Sequence, residues 1–555
     1  MDSAQSMDAS TFRKILSPVE LPCGLTVSNR LVKVAMYEHM SNLFGGPPNS
    51  AHLRLYSCWS SGHWGMIITG NVQVAMDHLT LGRDMVVPKI IAAETITRFR
   101  RLADCIRGAS DRAATRASDG TAEPQRTLAI MQLNHPGRQS ANLIGGRWPF
   151  VPPLAPSAVP IGRRVPDKAS FVASGLSHLF HTALFQIPRP MELDDIDHVV
   201  EAFVRGTHLA VESGFDGVEL HAAHGYLISQ FMSPNTNLRT DEYGARDHPL
   251  WLLHRIVSAI RASDRVPHAF VLGVKLNAAD YMTTLPSGRK TDTSEIRALS
   301  QVREIASWEM LDFIEISGGD YENPEFLKHT GSPRQAFFAR FSQQAVDALS
   351  SRPSDTERLD SADRTMTSPL ILLTGGFRTL PSLSSALSNG HAHLLGAGRL
   401  SVLCPDLPRR LSDSFQGTSM GTCDNFLLRP FPGLGLDEPR TQQYIEATSL
   451  SQYLYLWVER ILVSVLTVLC KLAPFEFPKL LGAGAEMAWY IVAMRAISEG
   501  RAADHSIGGV AGVLRMWWWV APNPIDGSRS QCPGFMVLFA VLALIGFCIA
   551  RVPGL

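Results

Sequence analysis

An excess of charge of either sign is missing from this chain. Lys and Arg number 51, Asp and Glu number 51, and the net charge is zero with histidine neutral. With no basic surplus to neutralise a nucleic-acid backbone, nucleic acid is not an expected partner. Cysteine is sparse and scattered: Cys23, Cys58, Cys105, Cys404, Cys423, Cys470, Cys532 and Cys548 form no CxxC pair. That spacing argues against a zinc module and against a disulfide framework in so long a chain. The first residues, MDSAQSMDASTFRKIL, lack the apolar core of a signal peptide, so a cytosolic catalytic domain is expected. No strand-like run is followed by GxGxxG, the dinucleotide fingerprint, and no HExxH zinc motif is present.

What is there is apolar and segmented. With 555 residues, 45% hydrophobic and 18% charged, the chain has room for one large α/β domain with extensions or for two or three smaller domains. Eight short apolar runs recur: LVKVAM (31–36), MIITG (66–70), LAIMQL (128–133), GVELH (217–221), VLGVKLN (271–277), DFIEIS (312–317), LILLTGG (370–376) and HLLGAGR (393–399). Continuous apolar runs suit strands covered on both faces, as in a parallel sheet. Helical patterns lie between them, the best over 198–213, where Val200, Phe203, Val204, Thr207, Ala210 and Val211 share one stripe ended by Gly214. Eight βα units between about 30 and 410 predict an α/β fold, a (β/α)8 TIM barrel, over a doubly wound open sheet.

Three insertions interrupt this pattern. Residues 107–126 and 353–367 are small and polar and read as disordered surface loops, and the Pro- and Gly-rich stretch 140–190 is expected to fold over the barrel mouth as a cap. The barrel is placed at 1–415, a helical extension of unread role at 416–529, and a tail at 530–551. Ser530 to Ala550 carries no charge and is bracketed by Arg529 and Arg551. It is long enough to cross a bilayer core, so it is expected to be a transmembrane tail anchor to an internal membrane, with a buried C-terminal helix as the other reading. A shorter apolar run, Ile461 to Leu472, reads as a packed amphipathic helix.

In a barrel, function sits at the carboxyl ends of the strands. Those ends carry Ala35, Met36, Tyr37 and Glu38; Thr69 and Gly70; Gln132; His221; Lys275 and Asn277; Ser317, Gly318 and Gly319; Gly375 and Gly376; Gly398 and Arg399. Glycine pairs let backbone N–H groups approach an anion, and an Arg fork binds phosphate in two places. Loops after the seventh and eighth strands commonly hold phosphate, so a phosphorylated ligand is expected. The Gln132 amide offers donor and acceptor to a flavin's pyrimidine edge, and Lys275 a positive charge beside it. Together these make FMN the best-fitting cofactor. The stretch HAAHGYLISQF, His221 to Phe231, admits three readings: a metal site, ordinary core, or a catalytic edge. Metal is disfavoured because a ligating helical pair is spaced i, i+4 and Gly225 breaks any helix.

The segments NRLVKVAM, MQLNHPGRQS, GFDGVELHAAHGYLISQFMSPNTNLRTDEYG, VKLNAADY, ISGG, LLTGGFRT and LLGAGRLSVLCPDLP resemble the old yellow enzyme (NADH:flavin oxidoreductase) family over roughly residues 15–415, closest to its fungal-type branch. The resemblance implies a TIM barrel, bound FMN, and ping-pong reduction of an activated C=C bond in a small-molecule substrate at the expense of NADPH or NADH. It places Ala35, Met36, Tyr37, Gly70 and Gln132 at the flavin, Lys275 at its cationic position, and Gly375, Gly376, Gly398 and Arg399 at the phosphate. His221 and His224 become the pair that hydrogen-bonds the substrate's electron-withdrawing oxygen, and Tyr226 the proton donor to carbon. Physically, hydride delivery to the β-carbon of an enone puts negative charge on its oxygen; two N–H donors stabilise it and a phenol supplies the last proton.

The chain departs from the family at Tyr37, where relatives often carry Thr, Cys or Ser, at His393 in place of an Asp, and in YGARDHPLWLLHRI, which lacks the usual ENR. Fungal-type relatives with such tails include enzymes of secondary metabolism as well as of detoxification. The alternatives are NAD(P)H oxidase or quinone reductase activity, or a membrane-tethered flavin-binding scaffold without turnover. An iron–sulfur relative would need a tight Cys cluster, and Cys404, Cys423 and Cys470 lie too far apart for one.

Overall fold

A computed structural model describes residues 13–108, 126–161, 184–278, 292–318, 333–350, 368–375, 377, 380–415, 457, 459–465, 479–505 and 507–522. All eight expected strands are present: β1 Leu31–Lys33, β2 Met66–Ile68, β3 Leu128–Asn134, β4 Gly217–Ala222, β5 Val271–Asn277, β6 Phe313–Ser317, β7 Leu370–Thr374 and β8 Leu394–Ala397. They pair in parallel in chain order, β8 pairs with β1, and β3 with β4, so the sheet closes on itself. This is the TIM barrel that the run pattern predicts. Its outer layer comprises α1 Ser50–Ser60, α2 Ala93–Arg107, α3 Leu193–Glu212, α4 Trp251–Arg261, α5 Asp292–Ser307, α6 Pro333–Ser350, α7 Leu380–Ser388 and α8 Leu407–Phe415.

Period-two alternation sorts each strand into two cores. Val32, Ile68, Ile130, Val271, Phe313, Leu372 and Leu394 point inward and form the floor of the barrel. A short antiparallel hairpin, Val19–Glu20 with Thr26–Val27, adds Leu21 and Val27 to that floor. Gly273 makes room there: a Cβ at this position would lie 2.1 Å from the Phe313 ring. The outward residues, among them Leu133, Leu220, Val274, Ile314 and Leu373, pack against the helices in the larger cluster. Lys33 also lies on this outer side, fully buried, with its ammonium 4.0 Å from the Trp59 ring and 3.0 Å from the Ile68 carbonyl. Burial pulls its pKa down to about 8.

Helix α3 begins five residues earlier than its apolar stripe suggests. Glu192 and Asp195 cap each other's backbone N–H groups there, and Gly214 (φ 77°) ends the helix as expected. The expected loops 107–126 and 353–367 fall almost wholly outside the described residues, as does the tail 530–551; no described helix is long and apolar enough to cross a membrane. The 140–190 insertion is described at both ends, where Leu154–Ala155 pairs in parallel with Arg189–Pro190. None of its described residues lines the cavity in the barrel mouth. The run from Ile461 is helical over 459–465, and its remainder lies outside the described residues.

The extension is not a separate body. Its helix α9 Lys479–Ser498 packs on α1, and α10 Gly509–Trp518 packs on α9. Arg495 of α9 donates to the carbonyls of Arg515, Met516 and His39, and its guanidinium lies 4.3 Å from the Trp519 ring. From the barrel side, Arg54 of α1 donates to the Ser498 carbonyl at 2.8 Å.

Candidate active site

The strand ends open into a cavity of about 200 Å³. It is lined by Ala35, Met36 and Tyr37 after β1, Gln132 of β3, His221 of β4, His224 and Tyr226 beyond it, Lys275 of β5, Gly375 after β7, and Gly398 and Arg399 after β8. Eleven of the thirteen residues singled out in the sequence therefore meet in one cavity. Gly70 is not among the lining residues. Its N–H is taken by the Tyr56 hydroxyl at 2.8 Å and lies 3.3 Å from Glu38, so it braces the loop after β1 instead. Gly376 lies outside the described residues.

Strand periodicity explains why these side chains converge. Gln132, Glu219, His221, Lys275, Glu315, Ser317 and Thr374 share the inward parity of the floor residues below them. Register then sets neighbours: His221 is level with Lys275, Lys275 with Glu315, and Glu219 with Gln132. Lys275 pairs with Glu315 at 2.8 Å, and the Gln132 amide donates to Glu219 at 2.6 Å. Burial, with the Glu315 carboxylate beside it, raises the Glu219 pKa well above the ordinary carboxylate range.

Beyond β4 the chain turns sharply through His224 (φ 56°) and Gly225 (φ 75°). A histidine in the left-handed region is strained. Gln139, donating to the His224 carbonyl at 2.8 Å, and Asn277, accepting its N–H at 3.3 Å, hold it there. The turn stacks three rings edge to face: His221 to His224 at 5.0 Å and His221 to Tyr226 at 4.7 Å. The Nδ1 of His221 accepts the Ala223 N–H at 3.3 Å, and burial, with His224 and Lys275 nearby, keeps its pKa well below the usual histidine value. A neutral ring accepting at Nδ1 carries its proton on Nε2. His224 Nε2 lies 3.0 Å from the Ser317 hydroxyl, and the Tyr226 hydroxyl takes an N–H from Asn71 at 3.4 Å.

Tyr37 lines the wall with its ring, while its hydroxyl donates to the Gly82 carbonyl at 2.7 Å and accepts the Leu81 N–H at 3.2 Å. Burial and the nearby Asp84 hold its pKa well above 10.0. At the opposite end, Arg399 is paired at 2.7 Å with Glu486, a residue of the extension, and Met487 and Tyr490 from the same helix line the cavity.

Several of these residues escape a reading confined to strand ends. Glu219 and Glu315 sit two residues before His221 and Ser317, so parity alone places them inside the barrel. Asn71, Thr374, Met487 and Tyr490 also line the cavity, as does Ser317 from the strand-end set. The segment 479–498 is apolar on all sides rather than on one stripe, so it gives no sign of what the helix covers.

The closed parallel barrel thus gathers two imidazoles, a phenol, an amide and a lysine at its strand ends. Residues 123–416 match the NADH:flavin oxidoreductase / NADH oxidase family, and the chain belongs to that family. It is 35% identical over 409 residues to the NADH-dependent flavin oxidoreductase iliE of Neonectria sp. (strain DH2), a match covering 73% of this chain and 48% of that protein. To the NADH-dependent flavin oxidoreductase iliE of Hypocrea jecorina (strain QM6a) it is 32% identical over 407 residues, covering 71% and 87%. The solved structure of the old yellow enzyme homologue from Zymomonas mobilis shares the fold, with a TM-score of 0.51, 19% identity, and coverage of 72% and 93%.

The residues present fit a flavin. Gln132 Oε1 and Thr374 Oγ1 are buried without a hydrogen-bond partner, and both side chains line the cavity. A buried orphan acceptor is costly and calls for a donor, which a flavin's ring N–H supplies. Among the described residues no group of His, Cys, Asp and Glu could hold a metal ion, and Cys23, Cys58, Cys105 and Cys404 are free thiols.

Proposed function

We propose that this chain is an FMN-dependent NAD(P)H oxidoreductase that reduces an activated C=C bond in a small-molecule, enone-type substrate. The observation that carries this reading is the meeting of His221, His224 and Tyr226 with Gln132 and Lys275 in one cavity. Bound FMN would supply the hydride-transfer chemistry between nicotinamide and alkene. Gln132 and Lys275 would hold its pyrimidine edge, and Gly375, Gly376, Gly398 and Arg399 its phosphate. His221 presents Nε2–H to the substrate's electron-withdrawing oxygen, where negative charge develops, and His224 shares that anchoring role. Tyr226, its ring held against His221, keeps the proton that ends on the carbon next to that group. Nicotinamide and substrate occupy the same cavity in turn, which gives ping-pong kinetics.

The test is anaerobic. The purified chain, flavin-loaded, is mixed with NADH or NADPH until bleached and then with an enone, a quinone or oxygen. Rapid recovery of colour with the enone supports the reading. Recovery with quinone or oxygen alone assigns oxidase or quinone reductase activity instead, and a chain that binds flavin but is bleached by neither nucleotide is a flavin-binding scaffold.

A further inference from the structure

The cations lining the cavity are Lys275 and Arg399, and each is already paired with a carboxylate: Lys275 with Glu315 at 2.8 Å, Arg399 with Glu486 at 2.7 Å. The two pairs differ in origin. Glu315 belongs to the barrel, level with Lys275 in the adjacent strand. Glu486 comes from α9, which begins some sixty residues beyond the family match at 416. Its side chain is 6% exposed and that of Arg399 17%, so this is a largely desolvated ion pair rather than a surface contact.

The position of Glu486 is fixed by its helix. On α9, Glu486, Met487 and Tyr490 present one carboxylate and two cavity-lining side chains to the short helix Arg399–Leu403 and the cavity beside it. One turn beyond Tyr490 the helix is clamped by Arg495, bonded to carbonyls of the β1 loop and of α10. A rigidly held carboxylate therefore faces the guanidinium expected to take the cofactor's phosphate.

Arg399 has one positive charge to share. A phosphate dianion seated at Gly375, Gly398 and Arg399 meets in Glu486 a rival for the same cation and a like charge beside it. We propose that Glu486 is a specificity-determining residue of the cofactor site: it competes with the FMN phosphate for Arg399 and so sets how strongly the chain prefers FMN over riboflavin, which lacks the phosphate. This rests on the FMN reading above. It also gives the extension a task, because a family-type barrel with a family-type phosphate site receives a charge from outside the family match.

The experiment uses the full chain stripped of flavin. FMN and riboflavin are titrated separately, with quenching of flavin fluorescence as the readout, into the unaltered chain, Glu486→Gln and Glu486→Ala. Removing one negative charge a few ångströms from a phosphate in a partly desolvated site is worth a factor of about ten or more. FMN should bind at least about tenfold tighter to both variants, while riboflavin changes less than about twofold. Unchanged riboflavin binding also shows that each variant is folded at the site. A fixed FMN-to-riboflavin ratio, or weaker FMN binding in the variants, overturns the proposal, the latter by making Glu486 a support for Arg399. Failure of the unaltered chain to bind either flavin overturns the FMN reading itself and is thereby told apart.

Discussion

The two ends of the cavity are built on different terms. At the histidine end every functional side chain comes from the barrel: His221 on β4, Tyr226 and His224 on the turn after it, Lys275 on β5. Their geometry follows from strand parity, one strained turn and edge-to-face ring contacts, all within the span of the family match. At the arginine end the barrel supplies Gly375, Gly398 and Arg399, but the charge on Arg399 is met by a helix from beyond that span. On the proposed reading, the residues that place the chemistry are local to the barrel, whereas at the phosphate end a carboxylate of the extension competes for Arg399. Changes at the first end should alter reaction rates, and changes at the second should alter which flavin is bound.

The largest effect is expected at the histidine end. His221→Leu removes the Nε2–H aimed at the substrate oxygen, and kcat/KM for an enone should fall about 10²–10³-fold, the usual cost of losing one donor to a developing oxyanion. A fall of less than threefold in steady-state assays would move the anchoring role elsewhere. Next comes the buried ion pair beside it. Lys275→Met leaves Glu315 buried without its cation, which should cost about 3 kcal/mol of stability in denaturant unfolding. Adding Glu315→Leu should recover most of that loss; no recovery would mean that the pair is not the source of it.

The smallest effect lies behind the wall, where Asp84 accepts from Gln73 and Thr80, both at 3.0 Å. Burial raises its pKa from 3.8 to about 7, partly opposed by those two bonds. Between these values the folded chain keeps a proton that the unfolded chain has lost, so stability falls as pH rises from about 4 to about 7. Asp84→Asn should flatten that slope in urea midpoints measured across the window. An unchanged slope would assign it to other groups, Glu219 first among them.

Much of this was legible in the residues, and for physical reasons. Eight continuous apolar runs required a sheet buried on both faces, and the polar residue ending each run had nowhere to go but the mouth. Gln132, His221, Lys275 and Arg399 were found that way. Glu219 and Glu315 were not, because each interrupts an apolar run and reads as an interior flaw until register shows them supporting Gln132 and Lys275. Gly70 was placed at the cavity by its position at a strand end, yet its N–H is turned toward Tyr56, a helix residue that strand-end reading ignores. The role of α9 was beyond reach, because its apolar residues form no single stripe and do not say what the helix is buried against.

The most direct test of the central claim separates the two steps of turnover in Tyr226→Phe. Phenylalanine keeps the ring against His221 and removes the hydroxyl, and with it both the proton and the bond from Asn71. Measured anaerobically by stopped flow, bleaching of the flavin by NADH or NADPH should stay within about threefold of the unaltered chain, while recovery of colour with an enone should slow about 10²-fold or more, the range typical of a lost general acid. Equal slowing of both steps, or of neither, would contradict a cavity in which Tyr226 delivers the final proton.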